Sequence, residues 1–397
     1  MDTKRKPAIG PDHVPLRSGD LVVGQPVPYS IYDPFDRLLL RRGCKLKSDR
    51  QRQLLREIGR IRVTSPEDAA QGPLPSTQQK QAEGAEGEGF DPFESFHRCA
   101  MSLSQVQRAV TNDRLDFLPR LEQLISRLGD LIDRDADAAL GAAHLERDFP
   151  PRVIHPIRQA IAVDLVARAA EIPGPQRRAA VGGALTANLG MLELQEELDT
   201  QTAPLTERQS RALRKHPKRS VALLRAAGCR DEAWLTTIEQ HHERLDGSGY
   251  PNGLTESELR DEACIVMLAD VYMAMVSPRV HREARAIRTA LRELFDDAGG
   301  VFHSTYTELL IKTVGIFPPG TLVGLSTGET GIVTRRSSRR TRPVVYVLLR
   351  ADGMRRSRPL RYDLSATDLE ITSVYRLEDV PVFFSFREAW GYEPATA

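Results

Sequence analysis

Cysteine is scarce in these 397 residues. Cys44, Cys99, Cys229 and Cys264 stand far apart with no CxxC spacing, which argues against both a disulfide framework and a cysteine zinc site. Long hydrophobic runs are missing too. The longest nearly uncharged apolar stretch, Ala263 to Val276, is too short to cross a bilayer and is interrupted by Asp270. The amino terminus opens on Lys4, Arg5 and Lys6 with no apolar signal-peptide core behind them. The expectation is a cytoplasmic chain without a membrane span. An excess of one charge sign is also lacking: the net charge is +1, so there is no global attraction to nucleic acid and no specific signal for it. What remains, 41% hydrophobic and 27% charged residues, describes an ordinary folded protein of two or three domains.

Four regions follow from composition and periodicity. Residues 1–64 alternate turn signals with short apolar runs, Gly19-Asp20 before Leu21-Val22-Val23, then Asp33-Pro34 and Arg41-Arg42-Gly43. They predict a small strand-rich regulatory module ending in a short helix near Gln51 to Ile58. Residues 65–90, including QQKQAEGAEGEG, bury almost nothing and read as a disordered linker. From 91 to 314 apolar residues recur three and four apart, as in Leu118, Leu121, Leu124, Ile125, Leu128 and Leu131, which predicts an all-helical domain. Thr206-Glu207-Arg208-Gln209 and Thr255-Glu256-Ser257-Glu258 read as capping boxes, Pro150-Pro151 opens a helix, and Gly228 closes another. Residues 315–397 turn to strands, Thr321 to Leu325, Gly331 to Thr334 and Val344 to Leu349, and form a small β module. The predicted fold class is mainly α, a helical domain flanked by two small modules.

The densest chemical signal is HHERLDGSGYPNG, from His241 to Gly253. Trp234, Ile238, His241 and His242 are spaced so that both histidines continue an apolar, inward-facing side, and paired inward histidines suit a metal. The glycines that follow form a tight turn able to bring backbone close to a ligand. Asp270 sits alone in IVMLADVYMAMV, so its carboxylate is expected to be buried and therefore paired, hydrogen-bonded or metal-bound. His155 and His216 can supply further ring nitrogens. The plainer alternatives are histidines satisfied in the core and an aspartate bonded to a helix end or a tyrosine.

Together these residues resemble the HD-GYP family, the cyclic di-GMP phosphodiesterase branch of the HD metallohydrolases, over roughly Pro151 to Val314. The resemblance implies an α-helical HD-type domain holding two or three divalent ions. By motif position it makes His155, His216, His241, His242 and Asp270 metal ligands, and makes Tyr250 the tyrosine of the GYP signature. It likewise makes Arg279 a phosphate-contacting arginine and places Arg282 where another basic residue is common.

The departure lies in GALTANLGML, Gly183 to Leu192. The family has a His-Asp pair there, in a stretch like LLHDIGK; this chain has Ala187, Asn188 and, where the family lysine would stand, Met191. A two-ion site loses an imidazole, an anionic bridge between ions and a cation facing phosphate. The expectation is a degenerate member acting in cyclic di-GMP signalling by binding the nucleotide or a protein such as a GGDEF-domain partner. It would have little or no catalysis and hold at most a single iron, manganese or zinc ion on His216, His241 and His242. A phosphodiesterase with a reduced metal site is the alternative, and a purely structural scaffold a third. Glu193 compensates for the lost pair only if it faces the histidines.

The flanks offer weaker resemblances, the first module to one found ahead of some HD-GYP domains and the last to a β extension that follows others. Residues 1–64 carry fourteen Lys and Arg against seven Asp and Glu, which suits either an anionic partner or a solvated surface. The last module holds Arg335, Arg336, Arg339, Arg340, Arg342, Arg355, Arg356 and Arg358. Arg335 with Arg339, and Asp363 with Ser365, faintly resemble pieces of PilZ cyclic di-GMP receptors, although Asp368 occupies the final glycine position. Solvated hairpin loops are the plainer reading.

Overall fold

The computed structural model describes residues 90–112, 116–277, 284–356, 360–380 and 384–392, together with short pieces of the first 89 residues. The chain divides into two units, Met1–Gly89 and Phe90–Ala397.

In the first unit β1 (His13–Pro15), β2 (Ile31–Tyr32), β3 (Leu38–Leu40) and β4 (Arg60–Arg62) form an antiparallel sheet in the order β1-β4-β2-β3. Leu21, Val27, Ile31, Leu46 and Leu55 are its buried core. The apolar run Leu21 to Val23 is not a strand: it leads into a turn in which Gln25 N–H donates to the Val22 carbonyl. The turns at Asp33-Pro34 and Arg41 to Gly43, and the linker 65–89, lie outside the described residues, as does most of the helix expected at 51–58, where Arg52 and Leu55 are helical.

The second unit is mainly α, as its periodicity predicts. Its helices are α1 (Pro92–Asn112), α2 (Phe117–Leu145), α3 (Pro151–Ala169), α4 (Gly174–Thr186), α5 (Leu192–Thr200), α6 (Glu207–Ala226), α7 (Glu232–Gln240), α8 (Asp261–Val276), α9 (Ile287–Asp296) and α10 (Ser304–Val314). Leu121, Leu124, Ile125, Leu128 and Leu131 of α2 are buried in one large core with α3, α4, α7 and α8. The punctuation in the sequence operates as physical chemistry requires. Thr206 and Gln209 close a reciprocal capping box at the start of α6, Thr255 and Glu258 close one on a single 3-10 turn, and Pro151 opens α3. At the end of α6, Cys229 N–H reaches back to the Leu224 carbonyl while Gly228 sits at φ +97°, the left-handed stop that glycine permits. Among the described residues no helix is long and apolar enough to cross a membrane. Cys99, Cys229 and Cys264 are free and buried, and burial pushes the thiols of Cys99 and Cys264 up to about 12.

A five-stranded antiparallel sheet follows, β5 (Leu322–Leu325), β6 (Thr330–Arg335), β7 (Val344–Leu349), β8 (Arg361–Asp363) and β9 (Ile371–Tyr375), in the order β8-β7-β6-β5-β9, and after it comes a short α11 (Phe386–Trp390). This sheet is fastened to α2. The α2 helix breaks at Asp135, which adopts φ −157° and ψ 85° and is buried. Its carboxylate accepts from Arg335, from the Tyr392 hydroxyl and from the Ala138 N–H, while Arg336 pairs with Asp137. Trp390 packs edge-on against Phe93 of α1 at 5.2 Å.

Candidate metal centre

Four elements place the sequence-predicted residues. Helix α3 carries His155, α6 carries His216, α8 carries Asp270, and His241 and His242 follow directly on α7. The helix therefore stops two residues earlier than the spacing suggests. His241 nonetheless keeps helical angles, φ −66° and ψ −8°, so Trp234, Ile238 and His241 are all buried on the inward side.

Local backbone chemistry sets the rings. Pro217 has no N–H, so the Leu213 carbonyl four residues earlier has no helical donor. The Nδ1 of His216 lies 2.6 Å from that oxygen. The end of α7 orphans the Ile238 carbonyl in the same way, and His241 Nδ1 lies 2.6 Å from it. A carbonyl only accepts, so both Nδ1 atoms carry hydrogen and both Nε2 atoms present bare lone pairs. Those two Nε2 atoms face each other at 3.2 Å. Burial disfavours a proton between them: it lowers His241 and, with the neighbouring His241 ring, lowers His216 to about 3.

A cation resolves the conflict. A tetrahedral ion with metal–nitrogen bonds of about 2.0–2.1 Å sets two ring nitrogens about 3.3 Å apart, close to what the structure has ready. His242 completes the set, with one ligand atom from each of the three histidines lying within 4.8 Å of the others. Burial also lowers the pKa of His242. The donor set thus fits one divalent ion, with carbonyl partners behind two of the rings.

His155 and Asp270 pair with each other. His155 Nε2 donates to Asp270 Oδ1 at 2.7 Å, with 12% and 14% of their side chains exposed. Burial pushes the Asp270 carboxyl up, but the hydrogen bond and charge of His155, followed by His242 and His241, outweigh it and hold the group below the usual carboxylate range. Asp270 is therefore less enclosed than its apolar helix suggests, and its partner is a histidine rather than a tyrosine or helix end.

The segment that carries Ala187, Asn188 and Met191 lies beside His216. Helix α4 ends at Thr186; Ala187 is its fully buried cap residue, Asn188 is half-buried, and a 3-10 turn over Leu189–Met191 follows. It is held by backbone groups: Ser220 donates to the Ala187 carbonyl at 2.6 Å and accepts from Gly190 N–H at 2.8 Å. A Cβ on Gly190 would come within 2.5 Å of the His216 carbonyl oxygen, so only glycine allows that approach. Glu193 is exposed to solvent and does not compensate.

The GYP turn packs over the histidines. Tyr250 stacks on His242 with centroids 4.7 Å apart and its N–H bonded to the His242 carbonyl at 3.0 Å. A Cβ on Gly249 would meet the Glu243 backbone at 2.4 Å. Sequence reasoning missed Glu243. It is fully buried, and its carboxylate accepts the N–H groups of Asn252, Gly253 and Leu254 at 2.7, 3.0 and 3.1 Å. An acid placed between inward histidines and a glycine-rich turn was the available signal. Arg214 was missed as well; its guanidinium stands 5.1 Å from the Tyr250 ring centre. Arg279 and Arg282 lie outside the described residues.

The arginine run of the last module is engaged elsewhere. Besides Arg335 and Arg336, Arg339 donates to the Ser365 carbonyl, Arg342 to those of Leu364 and Thr367, and Arg356 pairs with the buried Glu329. Asp363 accepts from its near neighbour Ser365. The PilZ-like pairing is thus occupied by the protein's own groups, and Arg358 lies outside the described residues.

Residues 143–303 match the HD domain family. A cyclic di-GMP phosphodiesterase of Pseudomonas aeruginosa is 27% identical over 62% of this chain and 61% of its own length. The cyclic di-GMP phosphodiesterase response regulator RpfG of Xanthomonas campestris is 28% identical over 55% of this chain and 54% of its own. The chain therefore spans about 61% and 54% of the lengths of these relatives. A solved HDG"Y"P protein of Bdellovibrio bacteriovorus shares the fold, with a TM-score of 0.50 and 17% identity over 76% of this chain and 99% of that one. With the HHERLDGSGYP turn and its histidines in place, the helical domain of this chain belongs to the HD-GYP family.

Proposed function

We propose that this chain is a cyclic di-GMP signalling protein that binds the nucleotide or a protein partner such as a GGDEF-domain protein, hydrolyses little or nothing, and holds one divalent ion on His216, His241 and His242. Residues 1–64 act as a regulatory module on a linker of residues 65–90, ahead of the helical domain 91–314 and the β module 315–397. One observation carries the reading. Beside a histidine cluster ready for an ion stands a turn that offers a buried methyl, a neutral amide and a thioether at Ala187, Asn188 and Met191. No bridging carboxylate replaces them among the described residues, since Glu193 faces solvent.

A bound divalent ion supplies Lewis acidity toward a phosphoryl oxygen. The chain's own residues do the rest. The Leu213 and Ile238 carbonyls hold two rings in register, Glu243 fixes the turn, and Tyr250 covers one face of His242. A second reading, a phosphodiesterase with a reduced site, is favoured by the His155–Asp270 pair, whose charge reaches His241 and His242.

The test uses one metal-analysed sample, with cyclic di-GMP binding followed by calorimetry and products by chromatography after long incubation with iron or manganese. The expected outcome is about one ion per chain, nucleotide binding and no product. His241→Ala should abolish ion uptake. Product formation that His241→Ala removes would establish the second reading, and neither binding nor product would leave an interaction scaffold.

A further inference from the structure

Among the described residues, Arg214 stands beside the histidine cluster as a cation with nothing to hold. Arg214 lies on α6 two residues before His216 and is exposed. Its guanidinium sits 5.1 Å from the centre of the Tyr250 ring, which itself stacks on His242 at 4.7 Å. Ring and guanidinium attract through the quadrupole of the aromatic face, which fixes the cation without using its N–H groups. Among the described residues its guanidinium makes no ion pair or hydrogen bond, whereas Arg211, one turn earlier, is paired with Glu207. The charges of Arg214 and Arg244 both reach the Tyr250 hydroxyl, where they oppose the negative charge of Asp270.

The occupant follows from the chemistry. A planar fork of unused donors, pinned beside a candidate cation site, suits a phosphate group, which it can grip through two parallel hydrogen bonds. We propose that Arg214, held over Tyr250, is the residue that receives a phosphate of the ligand at the mouth of the histidine cluster. The inference rests on the nucleotide-binding reading above for the identity of the ligand, though not for its phosphate.

The experiment uses the full, ion-loaded chain and two probes, cyclic di-GMP and inorganic phosphate, with affinity measured by calorimetry and ion content checked for each variant. Arg214→Ala should weaken both probes about five- to twentyfold, as loss of a charge-assisted contact does. Arg214→Lys, which keeps the charge but loses the fork, should weaken them about two- to fivefold. Lys218→Ala, the same change of charge one turn away, should leave both affinities and the ion content unchanged. Cyclic di-GMP binding that ignores Arg214→Ala would overturn the proposal and keep the reading. Arg214-dependent binding of phosphate without any of cyclic di-GMP would keep the proposal and overturn the reading. A chain that binds neither probe overturns both.

Discussion

The histidine cluster and the arginine run of the β module are about equally conspicuous in the sequence, and the structure treats them in opposite ways. The arginines are consumed internally: Arg335 by Asp135, Arg336 by Asp137, Arg356 by Glu329, and Arg342 by the carbonyls of Leu364 and Thr367. The histidines are left wanting, with two Nε2 lone pairs 3.2 Å apart in a buried place. The lesson is that a binding site is marked by unmet electrostatic demand rather than by density of chemistry-bearing residues.

The strongest way to break this contrast is to restore what the cluster lacks. The triple change Ala187→His, Asn188→Asp and Met191→Lys should raise the ion content from about one toward two per chain and bring measurable cyclic di-GMP hydrolysis, read by elemental analysis and product chromatography. An unchanged ion count would mean that the Ser220 clamp has closed the segment against further ligands. The next effect belongs to the arginines. Arg335→Ala leaves the buried Asp135 carboxylate short of its cation, at a cost of about 3 kcal/mol, discounted because a third of the arginine side chain is exposed. Urea unfolding should show that loss while nucleotide affinity stays constant.

The smallest effect separates the regions by acidity. In metal-free protein the folded state lowers His216 to about 3 and His144 to about 4, through burial in both cases, so each is neutral when folded and binds a proton on unfolding. Their stabilisation is complete above the ordinary histidine value and is lost as the pH falls from about 6.5 toward those lower values. His216 alone should cost about 2 kcal/mol between about pH 7 and about pH 5. Asp135 changes stability in the same direction, over a lower pH range. Although burial raises it, the bonds from Arg335 and Tyr392 hold its pKa below the ordinary value of 3.8, so its contribution persists until the pH falls through that lower range. The penalty of Arg335→Ala should therefore match at pH 7 and pH 5. A penalty that shrank by half at pH 5 would refute the assignment.

Much of this was legible from local pattern. The heptad-like leucines of α2, the capping boxes, the Gly228 stop and the strand Val344–Leu349 are all short-range signals that the fold obeys. The histidine motif was readable because its chemistry is concentrated within a few residues. What stayed hidden depends on partners far away in sequence. Arg335 finds Asp135 two hundred residues earlier, and nothing around either residue announces the other. Leu21 to Val23 has the composition of a strand, yet a turn at Gln25 claims it. Glu243 has neighbours in sequence that are its neighbours in space, so it could have been found by asking where a buried acid beside a glycine turn would spend its lone pairs.

The proline that follows His216 has a consequence for how fast an ion can be captured. Because the carbonyl it vacates already holds the imidazole, and the end of α7 does the same for His241, two of three donors stand at their working orientation before any ion arrives. Little rotational freedom remains to be surrendered on association, so the entropic barrier to capture is small.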